Sequence, residues 1–129
     1  MCNAFSQNGR DVRPGQRATV RVKATGEVFD QAVFAGCARH ESRGWWKRQG
    51  ASEAILDATR FAEKNKSTGV FTWDDIPAGQ AIEALLEPQP DGKDYRLLKV
   101  VTREATPEEL ARFGNNRVPV LAASDVALP

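Results

Sequence analysis

The chain has 129 residues and a mass of 14.2 kDa, with 41% hydrophobic and 27% charged residues, the make-up of one globular domain over residues 1–129 and not of a disordered or fibrous chain. No run approaches the ~18 apolar residues of a membrane span, no secretory leader opens the chain, and two distant cysteines argue for a reducing, cytoplasmic setting without a disulfide framework. The net charge of +1 conceals a gradient: residues 1–48 carry nine Lys and Arg against four Asp and Glu, whereas residues 49–129 carry nine against thirteen. A polyanion would meet the N-terminal part.

In chain order, "RPGQ" (13–16) punctuates the start. "ATVRVKA" alternates Ala18, Val20 and Val22 with Thr19, Arg21 and Lys23, the pattern of a half-buried strand. "ATGE" turns into a second strand, "VFDQAVFAG", and the two predict a hairpin. "RHESRGWWKR" (39–48) concentrates Arg39, Arg43, Lys47 and Arg48 against one acid, Glu41, and on charge alone reads as a solvated loop. In "ASEAILDATRFAEKNKSTG", Ser52 is a candidate N-cap and Ile55, Ala58 and Ala62 share one helical face; the spacing predicts a helix over 57–64 and leaves 52–56 open. "GVFTW" (69–73) predicts a short strand, and "AIEALLE" and "DYRLLKVVT" predict a hairpin around "PQPDGK". "TPEEL" carries an N-cap threonine (Thr106), Pro107 at the first helical position and Glu109 for a capping box, with Gly114 ending a short helix. "RVPVLAA" is a last apolar stretch. The sum is an α+β domain dominated by antiparallel pairing.

The familiar catalytic motifs are absent: there is no phosphate-binding glycine loop, no paired metal-ligand cysteines and no serine elbow. One histidine, His40, excludes a histidine-rich metal site and reads as an exposed loop residue; Cys37 reads as a small buried apolar one. No cofactor or metal is implied. The tandem Trp45–Trp46 inside the basic stretch suits stacking on unpaired bases while cations hold phosphates. Cys2 stands behind an initiator methionine that aminopeptidases remove before small residues. Removal leaves an α-amine, with a pKa of about 7.7–8, beside a thiol. This 1,2-aminothiol attacks an aldehyde through its amine, and the thiol then closes a five-membered thiazolidine in an intramolecular step.

The order of several short segments, "MCNAF", "VRPGQ", "FAGCARHESRGWW", "ILDATRFAE", "GVFTW" and "NNRVPVL", resembles the SRAP family, the SOS-response-associated peptidases. Its members open with Met-Cys-Gly-Arg-Phe and continue with Asn-x-Ala-Pro-Gly-Gln, Trp-Gly-x-x-Pro-x-Trp, Asn-Ala-Arg-x-Glu, Gly-Phe-Tyr-Glu-Trp and His-Asp-Arg-Met-Pro-Val-x-Leu. The resemblance implies a mixed, barrel-like fold with a few short helices. It also implies a cytoplasmic DNA-damage function in which the N-terminal cysteine crosslinks to the aldehyde of an abasic site in single-stranded DNA, together with self-removal of the initiator Met. Its motifs assign Cys2 as nucleophile, Asp57 at the site asparagine, Thr72 at the acid and Asn115 at the histidine. Arg60 or Thr59 falls at the family arginine, and Arg117 at its counterpart in the last segment. Arg39, Arg43, Lys47 and Arg48 would hold phosphates and Trp45 or Trp46 would stack on a base.

The departures bear on mechanism. Asn3 and Ala4 replace the family's Gly and Arg, Arg13 replaces an alanine, and Thr72 and Asn115 replace a titrating acid and base. The chain is also short for the family, without its early helical segment. Thiazolidine formation proceeds without an acid and base, only more slowly, since such help is worth about 10²–10⁴-fold. The alternatives are a catalytically degenerate SRAP fold that binds DNA or a protein partner, and an unrelated small α+β interaction domain.

Overall fold

Alternation builds the first large sheet. In the computed structural model, which describes residues 3–34, 36–88 and 95–124, β3 (Arg17–Val22) buries Ala18, Val20 and Val22. It pairs antiparallel with β4 (Val28–Ala32), forming the expected hairpin. Ahead of it, β1 (Asn3–Gln7) and β2 (Arg10–Val12) form a hairpin through Asn8 and Gly9, at φ 51° and 76°. Two successive positive φ angles on an Asn-Gly pair make the tight turn whose twist matches that of the flanking strands.

The basic stretch folds after a two-residue strand β5 (Ala38–Arg39) into a 3₁₀ turn (His40–Ser42) and a six-residue helix α1 (Arg43–Arg48). Beyond α1 the structure corrects the helix expected over 57–64: the segment is two strands, β6 (Ser52–Leu56) and β7 (Arg60–Lys64). Each buries three consecutive residues, Ala54–Leu56 and Phe61–Glu63. Such runs suit strands covered on both faces, whereas a lone surface helix would turn some of them to water. Ser52 is therefore a strand residue and not a helix cap.

The remaining elements are β8 (Phe71–Asp75), β9 (Gln80–Pro88), β10 (Tyr95–Glu104), α2 (Pro107–Phe113), β11 (Arg117–Pro119) and β12 (Leu121–Ala123). In α2 the Thr106 hydroxyl accepts from the Glu109 N–H at 3.2 Å and the Glu109 carboxylate accepts from the Thr106 N–H at 2.9 Å. Pro107 opens the helix and Gly114 closes it in the left-handed region at φ 66°, as the sequence predicts.

One sheet has the order β2-β1-β7-β8, and a larger one the order β11-β10-β9-β6-β3-β4, with β12 on β9 and β5 on β10. Among the described residues every strand pairing is antiparallel except β5 with β10. The class is α+β with mainly antiparallel sheets. The barrel-like character extends only to curl: Val33, just beyond β4, makes a single parallel bridge with Leu98 of β10. No ladder among the described residues closes the sheet. The sheets share a core in which Phe5, Val12, Phe61 and Phe113 meet Val20, Leu56, Ile82, Leu86, Leu98 and Val100.

The buried Gln7 stitches the sheets together. Its amide oxygen accepts from the Thr19 N–H at 3.0 Å, and its nitrogen donates to the carbonyls of Thr19 and Asp57 at 2.9 and 2.8 Å. The side chain thus stands in for a strand neighbour beside β3.

Candidate functional site: a cationic cleft at the seam of the sheets

The β7–β8 connection is built by Asn65. Its side-chain oxygen accepts from the N–H groups of Ser67 and Thr68 at 2.8 and 2.9 Å, and its N–H donates to Val70. This Asx turn projects from the end of the smaller sheet toward β5, β10 and β11 of the larger one. Between them lies a cleft of about 450 Å³ lined by Cys37, Arg39, Glu63, Lys64, Asn65, Lys66, Gly69, Thr102, Asn115 and Arg117. Four cations face one lining carboxylate, so the cleft favours an anion.

The lining cations differ in how far they are already engaged. Arg117 is fully occupied: it donates to both Glu41 carboxylate oxygens at 2.9 and 3.1 Å, and to the hydroxyl and carbonyl of Thr102. That fork holds the Glu41 carboxyl down at about 2, the hydrogen bonds from Arg117 being the largest cause. Lys66 donates to Asn116 at 2.7 Å. Arg39 and Lys64 make no ion pair among the described residues, which leaves them available to an anionic ligand.

Asn115 is buried and uses both ends of its amide within the fold, donating to the Lys64 carbonyl at 3.1 Å and accepting from the Arg117 N–H at 3.1 Å. It fixes the end of β7 against the start of β11. An amide so engaged positions the cleft but carries no proton.

Glu63 is 3% exposed and lines the cleft beside Cys37. Burial first, and the Glu63 charge second, push the Cys37 thiol from 9.0 to about 12. At neutral pH this thiol is protonated and is no nucleophile. Strand β1 begins at the same place: Asn3 is the backbone partner of Glu63. Cys2 lies outside the described residues and is the residue joined to Asn3.

The other expected site residues are placed as follows. Arg39, Asn115 and Arg117 come together in the cleft. Thr72 is the β8 partner of Glu63, on the same face of the sheet, but does not line the cleft. Asp57 lies in a shallower depression with Ser6, Gln7 and Gln80, and pairs with Arg21 at 3.1 Å. Arg60 stacks over the Trp73 ring at 4.2 Å and stands 3.6 Å from Asp11.

The basic stretch is partly neutralised within the fold. Arg43 pairs with the buried Glu83 and reaches Glu53 at 3.9 Å, and Lys47 lies 3.8 Å from Glu53. Arg48 is exposed. Trp46 packs against Ala38, Leu85 and Val101 with the Lys99 ammonium 3.7 Å from its ring centre, while Trp45 is half exposed and edge-on to it. One tryptophan is core and one is surface.

No protein-family model, curated protein or solved structure matches the chain. Among the described residues no group of three His, Cys, Asp or Glu could hold a metal ion, and no helix is long and apolar enough to cross a membrane.

Sequence reasoning missed Glu63, Lys64 and Lys66. Glu63 was hidden by the helical reading of its segment. With the strand period of two, Glu63 falls on the same core-facing side as Phe61, and an acid there signals a lined cavity.

Proposed function

We propose that the protein binds single-stranded DNA in this cleft and captures the aldehyde of an abasic site with Cys2, exposed as the N-terminal residue by removal of Met1. One observation carries the reading: β1 begins at Asn3 opposite Glu63, a lining residue of the anion-favouring cleft, and Asn3 is the residue that follows Cys2 in the chain. The colinear segments shared with SRAP proteins support it.

The α-amine of Cys2 adds to the aldehyde carbon, and loss of water gives an imine. The thiol sulfur then adds to the imine carbon while its proton passes to nitrogen, closing the thiazolidine with one water released overall. Glu63 is the carboxyl suited to these proton transfers, a role the sequence motifs had placed at Thr72. Arg39 and Lys64 hold the flanking phosphates.

The test is a denaturing gel of the Met-processed protein mixed with abasic single-stranded DNA. A shifted band is expected for the wild type, none for Cys2→Ala, and a rate lowered by about 10²–10⁴-fold for Glu63→Gln. Absence of any Cys2-dependent band sinks the covalent reading. A second reading, non-covalent binding by a degenerate fold, is favoured by the positions of Asp57 and Thr72 outside the cleft. A Met1 retained in the mass spectrum, with DNA binding intact, selects it.

A further inference from the structure

The smaller sheet turns Phe5 and Phe61 to the core, and its opposite face carries a different set of side chains. Phe71 and Trp73 lie two residues apart on β8, so both point to that face, about 7 Å apart along the strand. The Arg13 guanidinium lies 4.5 Å from the Phe71 ring centre and the Arg60 guanidinium 4.2 Å from that of Trp73. Between the outer strands, the paired Ala4 and Ala62 are small and covered, a low floor over which Arg13 reaches Phe71.

A guanidinium over a ring face is attracted by the ring and leaves the N–H groups not turned to the ring for an oxyanion. Arg13 makes no ion pair among the described residues, and Arg60, with its side chain 44% exposed, has only a 3.6 Å contact with Asp11. Lys64 joins this face to the cleft, since it lines the cleft and is also the β8-facing partner of Phe71.

We infer that Lys64, Arg13 and Arg60 form a phosphate track by which a single strand leaving the cleft is held across the β7–β8 face. The inference rests on the reading of the cleft as a site for single-stranded DNA. The occupant follows from charge and shape. Separated cations in a row match successive phosphates, and the run ends where Asp11 and Asp75 flank Arg60. Phe71 and Trp73 are positioning residues that fix the two arginines. The basic helix α1 is the competing surface, but Arg43 there is held by the buried Glu83, and Lys47, like Arg60, has one acid near it, Glu53 at 3.8 Å.

The experiment measures anisotropy of a labelled, undamaged oligo-dT against salt. Each phosphate contact contributes about 0.7 to the slope of log affinity on log salt for a single strand. Arg13→Gln and Arg60→Gln are expected each to lower the slope by about 0.7, with far-UV circular dichroism unchanged. In the wild type, added oligo-dT is expected to slow amide exchange in β7 and β8, a readout that needs no variant.

The track is overturned if both variants bind with the wild-type slope, or if β7 and β8 gain no protection. It is equally overturned if Lys47→Gln and Arg48→Gln carry the loss instead, or if duplex of the same sequence binds as tightly. Arginine-dependent binding without a covalent band on abasic DNA leaves the track standing and removes the Cys2 chemistry. A covalent band with both arginines silent does the reverse.

Discussion

Cys37 and Glu63 stand together at the cleft, where burial first and the Glu63 charge second make ionisation of the Cys37 thiol costly. Burial and the neighbouring carboxylate keep the Cys37 thiol protonated up to about pH 12. Iodoacetamide at about pH 8 is therefore expected to leave Cys37 of the native protein unmodified and to alkylate it once the chain is unfolded in denaturant, as read by peptide mass spectrometry. Native modification of Cys37 at the rate of a free thiol would contradict this. A thiol held neutral could not take the role proposed for Cys2.

At the scale of the element, α2 has only seven residues, too few for a helix to persist on propensity alone. Its caps and the Arg103 fork hold it. Arg103 donates to both Glu109 oxygens at 2.7 and 2.8 Å, and with the Thr106 N–H it lowers the Glu109 carboxyl from 4.5 to about 2. Because the folded value is the lower one, this carboxylate's stabilisation is fully present above about pH 4.5 and fades as pH falls toward 2. The melting temperature of Glu109→Gln is expected to lie below wild type at about pH 6, with the gap closing as pH drops toward about 2. A gap independent of pH would disprove it.

Gly114 couples the same helix to the cleft. Its left-handed backbone at φ 66° disfavours any side chain, and a Cβ there would run into the Asn65 side-chain amide. Gly114→Ala is expected to cost about 1 kcal/mol or more in denaturant unfolding. If the cleft binds DNA as proposed, displacing the Asx turn that follows Lys64 and carries Lys66 should also weaken oligo-dT binding. A stable variant with unchanged affinity would separate the turn from the cleft.

Across the whole molecule, the two sheets are joined by packed apolar faces and by the Gln7 amide, whose hydrogen bonds run to Thr19 and Asp57. Gln7→Leu keeps the volume but leaves the Thr19 N–H and two carbonyls without these partners. A loss of about 1–3 kcal/mol is expected from urea unfolding at unchanged m-value. A neutral result would mean that water replaces the amide.

Local chemistry was legible in the chain wherever it acts over a few residues. The alternation of Ala18, Val20 and Val22, the Thr106–Glu109 box and the Gly114 stop predicted β3 and α2, since each depends on neighbours in sequence. The Asn8-Gly9 turn was equally local and went unread. Tertiary contact decided 52–64, where burial on both faces overrides a helical spacing of alanines. It also decided which charges remain available. Arg43 and Lys47 look free in sequence yet meet Glu53 and Glu83 in the fold, and Arg60 meets Asp11, whereas Arg39, Lys64 and Arg13 make no ion pair among the described residues. Periodicity carries information along one strand or helix. Whether a charge is already paired depends on what the sheets bring from tens of residues away.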